Sequence, residues 1–174
     1  VQIERQLKEL ELFLEAVEKF LDNQADRAES EDERRKLEDY FPNLLRSSLF
    51  VTIYAAVENH LNRLCRRLAK GDGLAVEDLR GNGIIRAGTF LSKVCRVDFP
   101  WDSEEWNQLK EYNQLRNILV HNDGRDQGNH LKQLVESSSG LEVKEDGAVH
   151  LQRQFCPEVL ETVRKFFAKL EAAL

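Results

Sequence analysis

A chain of 174 residues with 41% apolar side chains is long enough to bury one sizeable core. Its formal charge of −6 excludes a protein that coats nucleic acid non-specifically, because that mode needs a broad basic surface, but it leaves room for an enzyme with a local basic site. Nine glycines and three prolines among abundant Leu, Glu, Arg and Lys favour a mostly helical fold.

Cys65, Cys95 and Cys156 are odd in number and widely spaced, with no CxxC or Cys/His ligand pattern. That argues against a disulfide framework and a zinc site, and for reduced thiols in the cytoplasm. No apolar run approaches the roughly 20 residues that span a bilayer, and no signal-peptide pattern is present. A soluble protein without membrane contact is expected. Met is absent, position 1 included, which suggests a trimmed chain or a fragment.

In chain order, Ile3, Leu7, Leu10, Leu14, Val17 and Leu21 step by three and four and predict a first amphipathic helix over residues 2–22. The charge-dense "DNQADRAESEDERRK" (22–36) reads as a solvated connection or as the exposed start of the next helix. Pro42 suits an early helical turn, since it has no N–H to donate. Leu45, Leu49, Ile53, Val57, Leu61, Leu64 and Leu68 then carry a long second helix, antiparallel to the first, with a glycine stop at "KGDG". A connection with room for one helical turn (71–83) and a weaker helical pattern (84–97) follow.

Asp102 or Ser103 caps a helix over 103–121, with Glu104 and Glu105 in its favourable first turn and "NDG" as its stop. A short helix is expected within 129–137. The alternation of "LEVKEDGAVHLQ" about Asp146-Gly147 predicts a β-hairpin. Pro157 opens a last helix whose apolar face is Val159, Leu160, Val163, Phe166, Phe167 and Leu170. The fold class is all-α: a single-domain helical bundle over 1–174 with a long N-terminal helical hairpin and one small β-hairpin near the C-terminus.

The chemistry concentrates in "RNILVHND" (116–123). Trp106, Leu109, Tyr112, Leu115 and Leu119 form the expected core stripe of that helix. Beside it Asn113, Asn117 and His121 line up four residues apart, bordered by Arg116. Histidine exchanges protons near neutrality, arginine offers a planar fork of donors to phosphate oxygens, and an amide can orient either. That set suffices for RNA cleavage without metal or cofactor: a base takes the 2′-hydroxyl proton and the guanidinium stabilises the charge on the attacked phosphoryl group. One histidine serves awkwardly as both base and acid, so a twofold homodimer is expected to bring two ridges together.

The stretch Arg116-Asn117-Ile118-Leu119-Val120-His121 resembles the R-x(4–6)-H signature of HEPN domains, in the form with a polar residue after the arginine. The long hairpin, "SLFVTIYAAVENHLNRLCRRL" (48–68) and the late position of the motif extend the likeness over most of the chain. It is closer to the stand-alone bacterial members than to the CRISPR effectors.

The resemblance implies a helical, often dimeric, metal-independent endoribonuclease of a toxin–antitoxin, abortive-infection or CRISPR-linked defence system. It implies Arg116, Asn117 and His121 as the active residues, RNA as substrate and an antitoxin or other protein as a further partner. Glu58, with Arg116 as its expected partner, and Tyr54 one turn away are supporting candidates. Arg63, Arg66, Arg67 and Lys70 either suit a helix C-terminus or form a basic patch that guides RNA.

His60 and His150 have no ligand partner at metal spacing, and His130 reads as a surface residue. Two rival readings stay open: a catalytically silent HEPN-like module that binds nucleotide or protein, and a plain helical adaptor in which His121 serves the helix dipole and Arg116 a surface salt bridge.

Overall fold

The computed structural model describes residues 2–69 and 73–174. Its elements in order are α1 (Gln2–Ala25), α2 (Glu31–Arg35), a π-helical turn (Lys36–Tyr40), α3 (Phe41–Leu68), a 3₁₀ turn (Val76–Asp78), α4 (Gly83–Lys93), α5 (Glu104–His121), α6 (Lys132–Ser137), β1 (Leu141–Val143), β2 (Val149–Leu151) and α7 (Phe155–Ala172). The class is the expected one, a mainly α-helical bundle with a two-stranded antiparallel hairpin.

α1 buries Ile3, Leu7, Leu14 and Leu21 and half-buries Leu10 and Val17, the stripe its spacing dictates. The charged stretch after it splits into a short turn and an exposed helical start. Ser30 caps that start by accepting the Glu33 N–H at 3.2 Å, while Glu33 accepts the Glu29 N–H at 3.1 Å.

From Glu31 the backbone stays helical into α3, so Pro42 lies inside a longer helical run than its sequence position suggested. The π-turn explains how it is tolerated. Proline cannot donate to the preceding turn, and its ring would meet the carbonyl four residues back. A widened turn ahead of it, in which the Phe41 N–H reaches the Lys36 carbonyl, relieves that conflict. The glycine stop expected after α3 falls in part on residues 70–72, outside the described residues.

α3 is the central element. Phe50, Ile53, Tyr54, Val57 and Leu61 are buried, and α1, α4, α5, α7 and β2 all pack against it. The helical pattern read over 84–97 ends earlier, at Lys93, because the chain passes through a left-handed Arg96 (φ 61°) into extended backbone. Of the two cap candidates for α5 it is Ser103 that accepts the Trp106 N–H, at 3.2 Å. Trp106 stacks on Phe166 of α7 at 5.7 Å and meets Phe99 edge-on at 4.9 Å.

Polar bonds fasten the hairpin to the bundle. β1 and β2 pair with Leu141 opposite Leu151 and turn at Gly147 (φ +80°), as the Asp-Gly signal requires. The outer edge of β2 is completed by α3: the Leu151 N–H donates to Asn43 Oδ1 at 2.8 Å, and Asn43 Nδ2 donates to the Val149 carbonyl at 3.4 Å.

One turn on, buried Arg46 donates to Glu18 Oε1 at 2.7 Å and to the Leu151 carbonyl at 3.1 Å, and Arg153 donates to the other Glu18 oxygen at 2.9 Å. Because Glu18 lies near the end of α1 and Arg46 near the start of α3, this pair also fixes the two helices antiparallel. Removing Arg46 leaves a buried carboxylate short of a partner. Arg46→Ala is therefore expected to lower the unfolding free energy by about 3 kcal/mol. Arg164→Ala, which frees the better hydrated Glu4 and Glu11, should cost about 1 kcal/mol or less. Urea denaturation separates the two, and equal losses would contradict the hub role of Arg46.

Candidate functional site

The last two turns of α5 place the motif. Leu115 and Ile118 face the core, so the helical period turns Asn117 and His121 to solvent and leaves Arg116 and Asn113 half-buried at the margin. Leu119, read from the sequence as core, is only partly covered. Ile118 takes the inner position at 4% exposure, while Leu119 faces a groove beside α3.

Arg116 and Asn117 come together, with Arg116 Nη1 donating to Asn117 Oδ1 at 3.0 Å. No carboxylate lies within ion-pair distance of Arg116 among the described residues, so the surface salt bridge of the plain adaptor reading is not formed. His121 is the last residue of the helix, exposed, and hydrogen-bonded to neither Arg116 nor Asn117. Asn113 makes no bond to them either.

The chain beyond His121 is fixed by backbone bonds. Asn122 and Gly124 both donate to the Ile118 carbonyl, at 3.0 and 3.2 Å, through left-handed Asp123 (φ 52°) and Gly124 (φ 67°). Val149 then donates to the Gly124 carbonyl at 2.9 Å, and Asp126 to the Gly147 carbonyl at 2.8 Å, which ties the helix end to the hairpin. The buried Asp126 carboxylate gathers the next loop by accepting the N–H groups of Gly128, His130 and Leu131 at 3.3, 3.0 and 2.9 Å. Burial pushes its acidity the other way, but the three donors outweigh it and hold Asp126 below the usual carboxylate range.

His130 stays exposed, as expected for a surface residue, at the rim of a polar hollow of about 330 Å³ that it shares with Asn122 and Arg125. The role of Asp126 was missed from the sequence. Its only signal there is an Asp two residues before a Gly.

Glu58 requires a correction. No ion pair joins it to Arg116; its Oε1 lies instead against Gly83, where an added Cβ would sit 2.9 Å away. Gly83 opens α4, and a carboxylate is favoured beside a helix N-terminus, so Glu58 has a structural placement of its own.

Tyr54 is buried with its hydroxyl unpartnered. Burial and the Glu58 charge push its pKa upward, Arg116 opposing, so the phenol stays protonated. Arg63, Arg66 and Arg67 are exposed on the last turns of α3, Arg66 pairs with Glu77 at 3.6 Å, and none bonds to the motif.

Cys65, Cys95 and Cys156 form no disulfide. Among the described residues no helix is long and apolar enough to cross a membrane, and no three His, Cys, Asp or Glu side chains gather as a metal site. Compared with known protein families, curated proteins and solved structures, the chain matches none.

An unpartnered buried hydroxyl is a cost that phenylalanine removes. Tyr54→Phe is expected to leave stability unchanged or raise it by about 1 kcal/mol in thermal or urea unfolding. A loss of that size would show that the hydroxyl holds a bonded role.

Proposed function

We propose that the chain is a metal-independent endoribonuclease of the HEPN type, working as a homodimer in a bacterial defence or toxin–antitoxin setting. One observation carries this reading: a guanidinium held by Asn117, with no carboxylate partner among the described residues, shares the last turns of α5 with an exposed histidine. A surface arginine that served stability alone would be expected to sit beside an acid.

In the proposed reaction His121 takes the proton of a ribose 2′-hydroxyl. The 2′-oxygen attacks the neighbouring phosphorus, and the bond from phosphorus to the 5′-oxygen breaks. Arg116 donates to the phosphoryl oxygens as their charge grows, and Asn117 fixes the guanidinium plane. The departing 5′-oxygen needs a proton, and the His121 of a second copy supplies it across a twofold axis. The products are a 2′,3′-cyclic phosphate and a 5′-hydroxyl. Val120, 48% exposed between Asn117 and His121, offers apolar surface for the two tips to meet. Arg63 and Arg67, exposed and without a carboxylate partner among the described residues, remain available to attract RNA from beyond the cleft.

The acidic total favours a second reading, a silent module of the same type that binds nucleotide or protein. Incubation with RNA in the presence of a chelator decides between them. Wild type is expected to cleave, His121→Ala and Arg116→Ala to lose at least about a hundredfold in rate, and all three to unfold at the same temperature. Intact RNA in every sample favours the silent module, and equal cleavage in every sample reveals a contaminant.

A further inference from the structure

A groove of about 570 Å³ runs between α3, the end of α5 and the hairpin, beside the motif but without Arg116, Asn117 or His121 in its lining. Its volume lies in the range of small-ligand sites. Half-buried Val51 and Leu119 give it an apolar floor, and exposed Leu44 and Tyr40 stand at its mouth. Ser47, Ser48 and Asp123 add polar groups to the lining. The hydroxyls of Ser47 and Ser48 make no hydrogen bond among the described residues, although helical serines commonly bond back to a carbonyl one turn earlier. The Asp123 carboxylate has no ion pair there either. Asn43, which also lines the groove, has both amide atoms committed to β2 and is unavailable.

We infer that this groove is a nucleobase subsite selective for guanine, seating a base of the RNA whose phosphate Arg116 contacts. The inference rests on the ribonuclease reading for the role of the site, and on the groove itself for its chemistry. Position is the first argument. Leu119 follows Arg116 by one turn of α5, and Val51 precedes Tyr54 by one turn of α3, so the backbone of the groove's lining lies roughly 5 Å along the helix from that of Arg116. A nucleotide spans such a distance between its phosphate and its base.

The donor pattern is the second argument. Guanine carries two adjacent donors on one edge, N1–H and N2–H, which a carboxylate accepts together. Adenine and cytosine offer it one exocyclic amine, and uracil one imide N–H. Serine hydroxyls both donate and accept, so Ser47 and Ser48 suit the guanine O6 and N7 acceptors. The Tyr40 ring provides a face on which any base can stack. Specificity thus resides in Asp123, and general affinity in Tyr40 and the apolar floor.

The test is equilibrium binding of GMP, AMP, CMP and UMP to the whole chain, without catalysis. GMP is expected to bind at least about tenfold more tightly than the other three, since a lost bidentate contact costs that much or more. Asp123→Asn should erase the preference, and Tyr40→Ala should weaken all four alike. Asparagine tolerates the left-handed backbone at position 123, so that variant is expected to fold. Equal binding of the four nucleotides, no binding at all, or a GMP affinity untouched by Asp123→Asn would overturn the subsite. Cleavage of RNA with no dependence on guanine would also overturn it while leaving the ribonuclease reading intact. GMP selectivity without cleavage would support the subsite and count against the cleavage reading.

Discussion

Arg46 and Asn43, one turn apart on α3, hold the exposed edge of β2, and through it they hold the place where α5 ends. Arg46 bonds to the Leu151 carbonyl and to buried Glu18, and Asn43 bonds to an N–H and a carbonyl on the same edge of the strand. The hairpin in turn receives the chain leaving His121, through Val149 to Gly124 and Gly147 to Asp126. A helix terminus ordinarily frays, because its last carbonyls lack partners. Here the terminus is closed by the Ile118 carbonyl and clamped from outside by a strand that α3 fixes. The geometry of the motif therefore depends on an ion pair in another part of the bundle.

This arrangement reconciles two demands on the candidate site. Groups that act on a polymer must face solvent, while groups that act on a transition state must be held still. Asn117 and His121 satisfy the first by lying outside the Leu115–Ile118 face. Arg116 meets the second by lying half-buried and bonding to the neighbouring amide. Tyr54 feels the charges of both Glu58 and Arg116, but the contacts of Glu58 and Tyr54 are structural: one against the start of α4, the other within the core.

Much of the bundle was legible because the signals were local or periodic. The α1 stripe, the apolar face of α7 and the hairpin at Asp146-Gly147 depend only on side-chain spacing and turn chemistry. The outward placement of Asn117 and His121 followed from the same period. Features made by distant partners were not legible. The π-turn before Pro42 depends on a helix continuing from Glu31, which charge density alone left open. The neighbour of Glu58 is the backbone of Gly83, brought there by a loop of irregular sequence, so an arginine was the more obvious guess. Leu119 changed role because a groove, built from three separate elements, opens on its side of α5. No periodicity encodes a cavity.

The proposed ribonuclease activity requires that the sugar of an RNA supply the nucleophile at the tip of α5. Placing a single 2′-deoxynucleotide immediately 5′ to a mapped cleavage position tests that claim most directly. Cleavage should stop at that bond and continue at unmodified ones. Scission of the deoxy-substituted bond at the normal rate would contradict the claim, because no 2′-oxygen would be present to attack.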